Sequence, residues 1–104
     1  MITAFVQFKL PKPVPLAEAK RLFEASTPKY VKLPGLIRKY YLLGEDGASA
    51  GGVYLWESRA AAEKLYNAEW RERVTATYGS PPTISWFNCP VIVDNLANDV
   101  TIAA

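Results

Sequence analysis

The stretch Gly51-Gly52-Val53-Tyr54-Leu55-Trp56-Glu57-Ser58-Arg59-Ala60-Ala61-Ala62-Glu63-Lys64-Leu65 carries a strand directly into a helix, and its reading decides the fold. Gly51 to Trp56 is short, β-branched and aromatic, with Gly52, Tyr54 and Trp56 on one face and Gly51, Val53 and Leu55 on the other. Ser58 supplies an N-cap, and Ala60 to Leu65 is strong helix former throughout, so the helix begins within two residues of Trp56. Trp56 therefore ends its strand beneath the mouth of the helix.

Working outward toward the N-terminus, Ile2, Ala4, Val6, Phe8 and Leu10 alternate with Thr3, Phe5, Gln7 and Lys9, which predicts a first strand with one apolar face. Pro11 and Pro13 end it. Leu16, Ala19, Leu22 and Phe23 then fall on one helical face. Pro28 cannot continue that helix without losing a hydrogen bond, so a short second piece to Lys32, capped by Ser26 or Thr27, is expected. Leu33-Pro34-Gly35 reads as a turn and Leu36 to Leu43 as a tyrosine-rich strand. Gly44 to Ser49 has the length and chemistry of a hairpin loop that joins this strand, antiparallel, to the one ending at Trp56.

Toward the C-terminus, Asn67 caps a further helix in which Trp70, Val74 and Tyr78 share a face, and Gly79 with Pro81-Pro82 stops it. Thr83 to Cys89 and Val91 to Val93 read as one last strand, interrupted at Pro90 by an edge position or a bulge. Asn95 to Ala104 reads as a tail draped over a partner subunit. The order strand, broken helix, strand, hairpin, strand, broken helix, strand is that of an α+β, ferredoxin-like domain spanning residues 1–104: one four-stranded antiparallel sheet with helices on a single face. A domain of this size buries only about 60% of its surface, so a bare apolar sheet face needs cover. A two-fold homodimer is the simplest supplier.

Composition removes whole classes of chemistry. The 104 residues include no histidine, so histidine-ligated zinc or haem, a Ser-His-Asp relay and an imidazole base are all outside this chain's means. Carboxylates, tyrosines, lysines or the substrate itself must move any proton. The single cysteine, Cys89, cannot form an internal disulfide, and no apolar run is long enough for a membrane span, which together with the alternating start leads to the expectation of a cytoplasmic protein. Met1 to Leu43 carries eight Lys or Arg against two Glu, and the remainder four against eight Asp or Glu. An ordinary solvated surface explains that bias at least as well as an anionic ligand does. There is no Gly-rich phosphate loop, metal-spaced carboxylate pair or clustered basic stripe, so nucleotide, metal and nucleic-acid partners are not expected.

Pro34-Gly35-Leu36, the hairpin exit Ala50-Gly51-Gly52-Val53-Tyr54-Leu55-Trp56-Glu57-Ser58, the Tyr66 to Trp70 segment and Pro90-Val91-Ile92-Val93-Asp94-Asn95 together resemble the YdhR-type monooxygenases, a branch of the dimeric α+β barrel superfamily. The resemblance runs from the first strand to about Leu96. It implies a dimeric barrel built from two ferredoxin-like sheets. The superfamily spans cofactor-free quinone-forming monooxygenases, haem-degrading oxygenases, dehydratases and isomerases, so it implies architecture more than reaction. In its oxygenase branches a tryptophan at the end of the third strand lines a pocket between sheet and helices, and Trp56 matches it. Where the haem-degrading branch carries a histidine on the following helix, this chain has about Val74, which speaks against haem chemistry.

Two functions remain open. One is a cofactor-independent monooxygenase on an electron-rich aromatic of the phenol or hydroquinone type, with Trp56, Arg38 and Tyr40 as catalytic candidates and Tyr54, Tyr66, Trp70 and Arg73 as substrate-binding candidates. The substrate's own anion would reduce dioxygen directly, so no cofactor is expected. The other is a non-catalytic homodimer that binds a hydrophobic small molecule. Each candidate also has a plain structural role: Trp56, Tyr54 and Trp70 as core, Arg38 as an interface ion pair, Arg73 as a solvated helix charge. Tyr40 and Tyr41 point to opposite faces, so only one of them meets the pocket. Gly51-Gly52 marks close approach of a ligand, tight packing or a bulge. Cys89 reads as a buried structural thiol in preference to a nucleophile.

Overall fold

A computed structural model describes residues 1–102. Eight residues of strand β1 (Ile2–Lys9) lie between β3 (Ser49–Trp56) and β4 (Thr83–Asn88), and β2 (Leu36–Leu43) pairs with the outer side of β3. The four-stranded order is β2-β3-β1-β4, antiparallel throughout. Helices α1 (Leu16–Ser26), α2 (Arg59–Leu65) and α3 (Ala68–Tyr78) make the second layer. This is the α+β ferredoxin-like arrangement that the sequence order predicts.

Register sorts the sheet into two faces. On the helix side the rows are Asn88-Ile2-Trp56-Leu36, Trp86-Ala4-Tyr54-Lys39 and Ile84-Val6-Gly52-Tyr41; on the other side they are Phe87-Thr3-Leu55-Arg38, Ser85-Phe5-Val53-Tyr40 and Thr83-Gln7-Gly51-Leu42. Ala4, Val6, Phe8, Tyr54 and Trp56 are buried under Ala62, Tyr66, Trp70 and Val74 of the helical layer and its linker. A bulge between Leu36 and Arg38 sets the phase of β2, so that Lys39 and Tyr41, not Arg38 and Tyr40, face the helices.

The expected caps form. Ser58 Oγ accepts from the N–H of Ala61 at 3.1 Å, and Asn67 Oδ1 accepts from that of Trp70 at 2.9 Å. Gly79, in the left-handed conformation, ends α3. The β2-β3 loop is pinned to the segment between β1 and α1 by backbone bonds from Val14 N to Gly47 O (3.0 Å) and Leu10 N to Ala48 O (2.9 Å).

Three expectations are corrected. Neither Ser26 nor Thr27 caps the piece after α1: Ser26 Oγ turns back to Phe23 O at 3.0 Å and also bonds the Tyr41 hydroxyl at 2.7 Å, while Thr27 Oγ1 donates to Glu24 O at 2.8 Å. The piece is a single 3-10 turn, Thr27–Lys29, and Lys32 at φ 60° has already left helical geometry. The apolar stripe of α1 is only partly buried, Ala19 inside but Leu16 73% exposed, because the helix meets the sheet mainly where Phe23 stacks on Tyr41.

The third correction concerns the C-terminal segment. Thr83 to Val93 is not one strand. Cys89 N bonds Met1 O at 2.9 Å, and Pro90, lacking an N–H, cannot extend the ladder. Val91–Asp94 (β5) instead pairs with Asp99–Ile102 (β6), so the expected tail is a hairpin over its described part; Ala103 and Ala104 lie outside the described residues.

Candidate functional site

An aromatic layer fills the space between sheet and helices. Tyr54 and Trp56 stack with ring centroids 6.2 Å apart, and Tyr66 meets both edge-on before passing contact to Trp70 at 4.8 Å. Their polar atoms are paired internally: Trp56 Nε1 donates to the Tyr66 hydroxyl at 3.1 Å and Trp70 Nε1 to the Tyr30 hydroxyl at 3.2 Å. Burial pushes the Tyr54 hydroxyl far above the ordinary phenol range, and that of Tyr66 well above it despite the Trp56 bond. Neither is a proton donor to reactions near neutrality.

Two spaces beside this layer bear on the site, and a further one of about 270 Å³ is lined by Tyr30, Lys32, Lys39 and Tyr41. The larger, about 510 Å³, is a cleft between the β2 entry turn and α2–α3, with Leu33, Gly35, Ala61, Trp70 and Arg73 on its walls. Gly35 (φ 82°) closes one end: a Cβ there would collide with that of Ala61, and its carbonyl accepts from Glu57 N at 2.8 Å, which holds the turn against the β3–α2 junction. The smaller space is a chamber of about 50 Å³ under α1 and α3, walled by Tyr30, Lys39, Tyr41, Tyr54, Arg73 and Tyr78 among others. Arg73 lines both.

Lys39 is the unusual group. Its ammonium lies 3.4 Å from the centroid of the Tyr30 ring, 3.8 Å from that of Tyr41 and 4.6 Å from that of Tyr54. Room for it comes from Gly52 on the neighbouring strand, where a Cβ would stand 3.4 Å from Lys39 Cε and 2.8 Å from Tyr40 O. Burial, with the Arg73 charge added, pushes the Lys39 amine down to about 7. The ring faces favour the charged form, so amine and ammonium are both accessible near neutral pH.

The residues singled out by sequence separate into three groups. Trp70 and Arg73 wall the cleft, and Tyr54 with Arg73 walls the chamber. Trp56, fully buried, and Tyr66 stand behind these walls as core and line neither space. Arg38 and Tyr40 are on the opposite face of the sheet, where Arg38 donates to the Tyr40 hydroxyl (3.2 Å) and pairs with Asp94 of β5 (3.4 Å). Asp94 is held below the usual carboxylate range by the N–H groups of Ala97 and Leu96 and by Arg38. Gly51 and Gly52 reflect tight packing: β3 keeps an unbroken register with both neighbours across them. Cys89 is only partly buried.

Sequence reasoning misses Lys39 and Tyr30 and leaves the choice between Tyr40 and Tyr41 open; the register gives Tyr41. The available signal is a lysine in phase with Tyr41 and Leu43 beside a glycine-bearing strand, but the β2 bulge hides that phase until the register is known.

The fold is a ferredoxin-like α+β domain with aromatic-walled spaces between sheet and helices, and it is similar to that of an antibiotic biosynthesis monooxygenase at 15% identity and a TM-score of 0.63, covering 86% of this chain and 98% of that one. The chain belongs to the ydhR family: the family model described as "Putative mono-oxygenase ydhR" matches residues 4–81. Among solved structures it is similar to a monooxygenase from the gene ActVA-Orf6 of Streptomyces coelicolor in complex with the ligand nanaomycin D, at 23% identity and a TM-score of 0.65, covering 85% of this chain and 86% of that one. It is also similar to SnoaB, a cofactor-independent oxygenase from Streptomyces nogalater, at 20% identity and a TM-score of 0.62, covering 85% and 91%. A further one is the NE2512 protein of unknown function from Nitrosomonas europaea, at 20% identity and a TM-score of 0.64, covering 85% and 87%. At these identities the likeness establishes the fold. Among curated proteins none matches the chain significantly. No helix among the described residues is long and apolar enough to cross a membrane.

Proposed function

We propose that the protein is a cofactor-independent monooxygenase acting on an electron-rich aromatic, a phenol or anthrone, held in the cleft between Trp70 and Arg73. The single observation that carries this is the pairing of an apolar wall, Trp70, Leu33 and Ala61, with the cation Arg73 across a space of about 510 Å³, large enough for a fused ring system, whose rim also carries Lys64, Glu57 and Glu69. The ring lies against Leu33, Ala61 and the edge of Trp70, which is itself 2% exposed, while the guanidinium faces the oxygen that becomes anionic. Membership of a mono-oxygenase family supports the reaction class, and the cofactor-independent oxygenase and the nanaomycin D complex among the structural relatives support an aromatic substrate without a redox group.

The chemistry balances without a protein redox centre. Loss of a proton gives the aromatic anion, which passes one electron to dioxygen; radical recombination forms a carbon–oxygen bond at the ring CH or CH₂. The hydroperoxide then loses water, so that two hydrogens leave the substrate (both from carbon for a CH₂, one from the hydroxyl and one from carbon for a phenol CH), one oxygen atom stays as the quinone carbonyl and the other departs as water. The protein's part is to orient the ring, stabilise the anion and exclude solvent.

The working unit is a homodimer with the outer sheet faces apposed. Tyr40 (53% exposed), Leu42 (39%) and Phe87 (55%) stand on that face, an apolar surface of the kind that associates in water.

Oxygen uptake by the purified protein with anthrone or a naphthol, in the presence of chelator and without flavin or nicotinamide, tests the reading. Uptake well above the buffer rate, reduced by Trp70→Ala in turnover as well as binding, is expected. Stoichiometric binding of such an aromatic with no uptake across a broad panel leaves the alternative of a small-molecule-binding protein.

A further inference from the structure

The chamber beside the cleft has an unbalanced charge. Lys29, Lys39 and Arg73 line it together with four tyrosines, Tyr30, Tyr41, Tyr54 and Tyr78, and no carboxylate does. The charged and titratable groups facing Lys39 are Tyr30 and Lys29 of the 3-10 turn and its exit, Tyr41 of β2, Tyr54 of β3, and Arg73 and Tyr78 of α3. None of the three ion pairs among the described residues involves Lys39. A half-buried amine walled by ring faces and two further cations has no protein anion beside it, which leaves room for one from the ligand.

Size and connection favour a single oxygen. At about 50 Å³ the chamber holds one or two first-row atoms and not a ring. Arg73 belongs to the walls of both spaces, so the chamber and the cleft adjoin at one long side chain.

We infer that the chamber receives the acidic hydroxyl of the cleft-bound aromatic and that Lys39 Nζ is the base that takes its proton. The inference rests on the proposed use of the cleft for an aromatic substrate, and it names the group that makes the reactive anion. In the step the O–H bond breaks, an N–H bond forms with the amine lone pair, and the oxygen keeps the electron pair; nothing is oxidised or reduced. The product is a phenolate against two cations, Lys39 and Arg73, in a space partly withdrawn from water, where their attraction is stronger than in solution. The tyrosine rings hold the ammonium by their faces and no carboxylate ties it down, so the transferred proton is available to the departing hydroperoxide.

The test has two readouts. Under anaerobic conditions at pH 7, 2-naphthol bound to the wild-type protein should show the naphtholate absorption band, whereas naphthol bound to Lys39→Met, or to Lys39→Gln if the methionine variant is poorly folded, should show the neutral band with affinity within a few-fold. In air, with a naphthol as the oxidised substrate, Lys39→Met should lose about 100-fold or more in kcat with little change in KM, and the wild-type rise in rate through pH 7 should disappear. Lys39→Arg, charged at every pH in range, should not restore it. A neutral naphthol spectrum on the wild type, or an unchanged rate and pH profile in Lys39→Met, overturns the assignment of Lys39 while leaving the monooxygenase reading intact. An ionised naphthol in the wild type with no oxygen uptake from any aromatic supports the chamber and removes the monooxygenase reading.

Discussion

The indole N–H of Trp70 donates to the hydroxyl of Tyr30 at 3.2 Å, and the face of that Tyr30 ring lies 3.4 Å from the Lys39 ammonium. One hydrogen bond between residues 40 positions apart therefore joins a wall of the cleft to a wall of the chamber. The position of the amine depends on the indole through it.

Trp70→Phe keeps most of the ring and removes the donor. A modest stability loss of about 1 kcal/mol is expected from the lost bond, together with a larger fall in turnover than in naphthol affinity, since Tyr30 is then free to tilt away from Lys39. Chemical denaturation and steady-state kinetics on the same preparation check both. Equal falls in affinity and turnover would mean that Trp70 serves only as a stacking surface.

Trp56 behaves differently because its indole is fully buried and its N–H is satisfied by Tyr66 at 3.1 Å. Tyr66→Phe leaves that donor unpaired and should cost about 1–3 kcal/mol, and Trp56→Ala about 3–5 kcal/mol, each with naphthol affinity unchanged in the molecules that remain folded. A Trp56→Phe/Tyr66→Phe double-mutant cycle isolates the shared term. Loss of binding with stability intact would restore Trp56 to the pocket wall that the family resemblance implies.

Stability should peak on the alkaline side. In the unfolded chain the Lys39 amine titrates at its ordinary 10.5, and in the fold at about 7, so between those values the unfolded state binds more protons and stability rises with pH. The gain is on the order of 2 kcal/mol, below the full linkage of a sealed site because the side chain keeps some solvent contact. Above pH 10 the sign reverses: burial raises Tyr54 and Tyr66, and raises Tyr78 to about 12, so the unfolded chain sheds these protons first and stability falls as pH climbs. Thermal melts from pH 6 to 11 should show a maximum at about 9–10, and Lys39→Met should be more stable than wild type at pH 7 and flat from 7 to 10. A wild-type profile already flat over that interval would place the Lys39 amine in water.

How far the sequence reveals this can be traced residue by residue. The alternation of Ala4, Val6 and Phe8, the caps at Ser58 and Asn67 and the Gly79 stop are local signals, and local signals specify the four-stranded sheet and its helices. Trp70 and Arg73 are legible as a pair one turn apart on a helix. Lys39 is not, because its direction depends on a bulge between Leu36 and Arg38 that only strand pairing reveals. The β5–β6 hairpin is hidden for a related reason: Thr83 to Val93 has strand character on both sides of Pro90, and only the pairing of Val91–Asp94 with Asp99–Ile102 reveals that the chain changes partner there.

The outer face of the sheet yields the last prediction, a two-fold dimer. The middle row across that face is Ser85-Phe5-Val53-Tyr40, with Leu42 and Phe87 flanking it, so apolar groups occupy its centre and Arg38 its margin. Arg38 ties the β5–β6 hairpin to this margin through Asp94, and Val91, Val93, Val100 and Ile102 all project from that hairpin exposed. A partner that covered the middle row would find these side chains beside it, which enlarges the apolar surface removed from water. Sedimentation at micromolar concentration should therefore give twice the chain mass. Tyr40→Asp, which places a charge in the middle row opposite its two-fold mate, should shift the protein to monomer with its helical circular dichroism retained. Arg38→Ala removes a solvent-exposed pair with Asp94 and a hydrogen bond to the Tyr40 hydroxyl, leaves the apolar middle row intact, and should leave the dimer in place. A monomeric wild type at 100 μM, about a hundredfold above the concentrations at which obligate dimers persist, would overturn the proposed pairing.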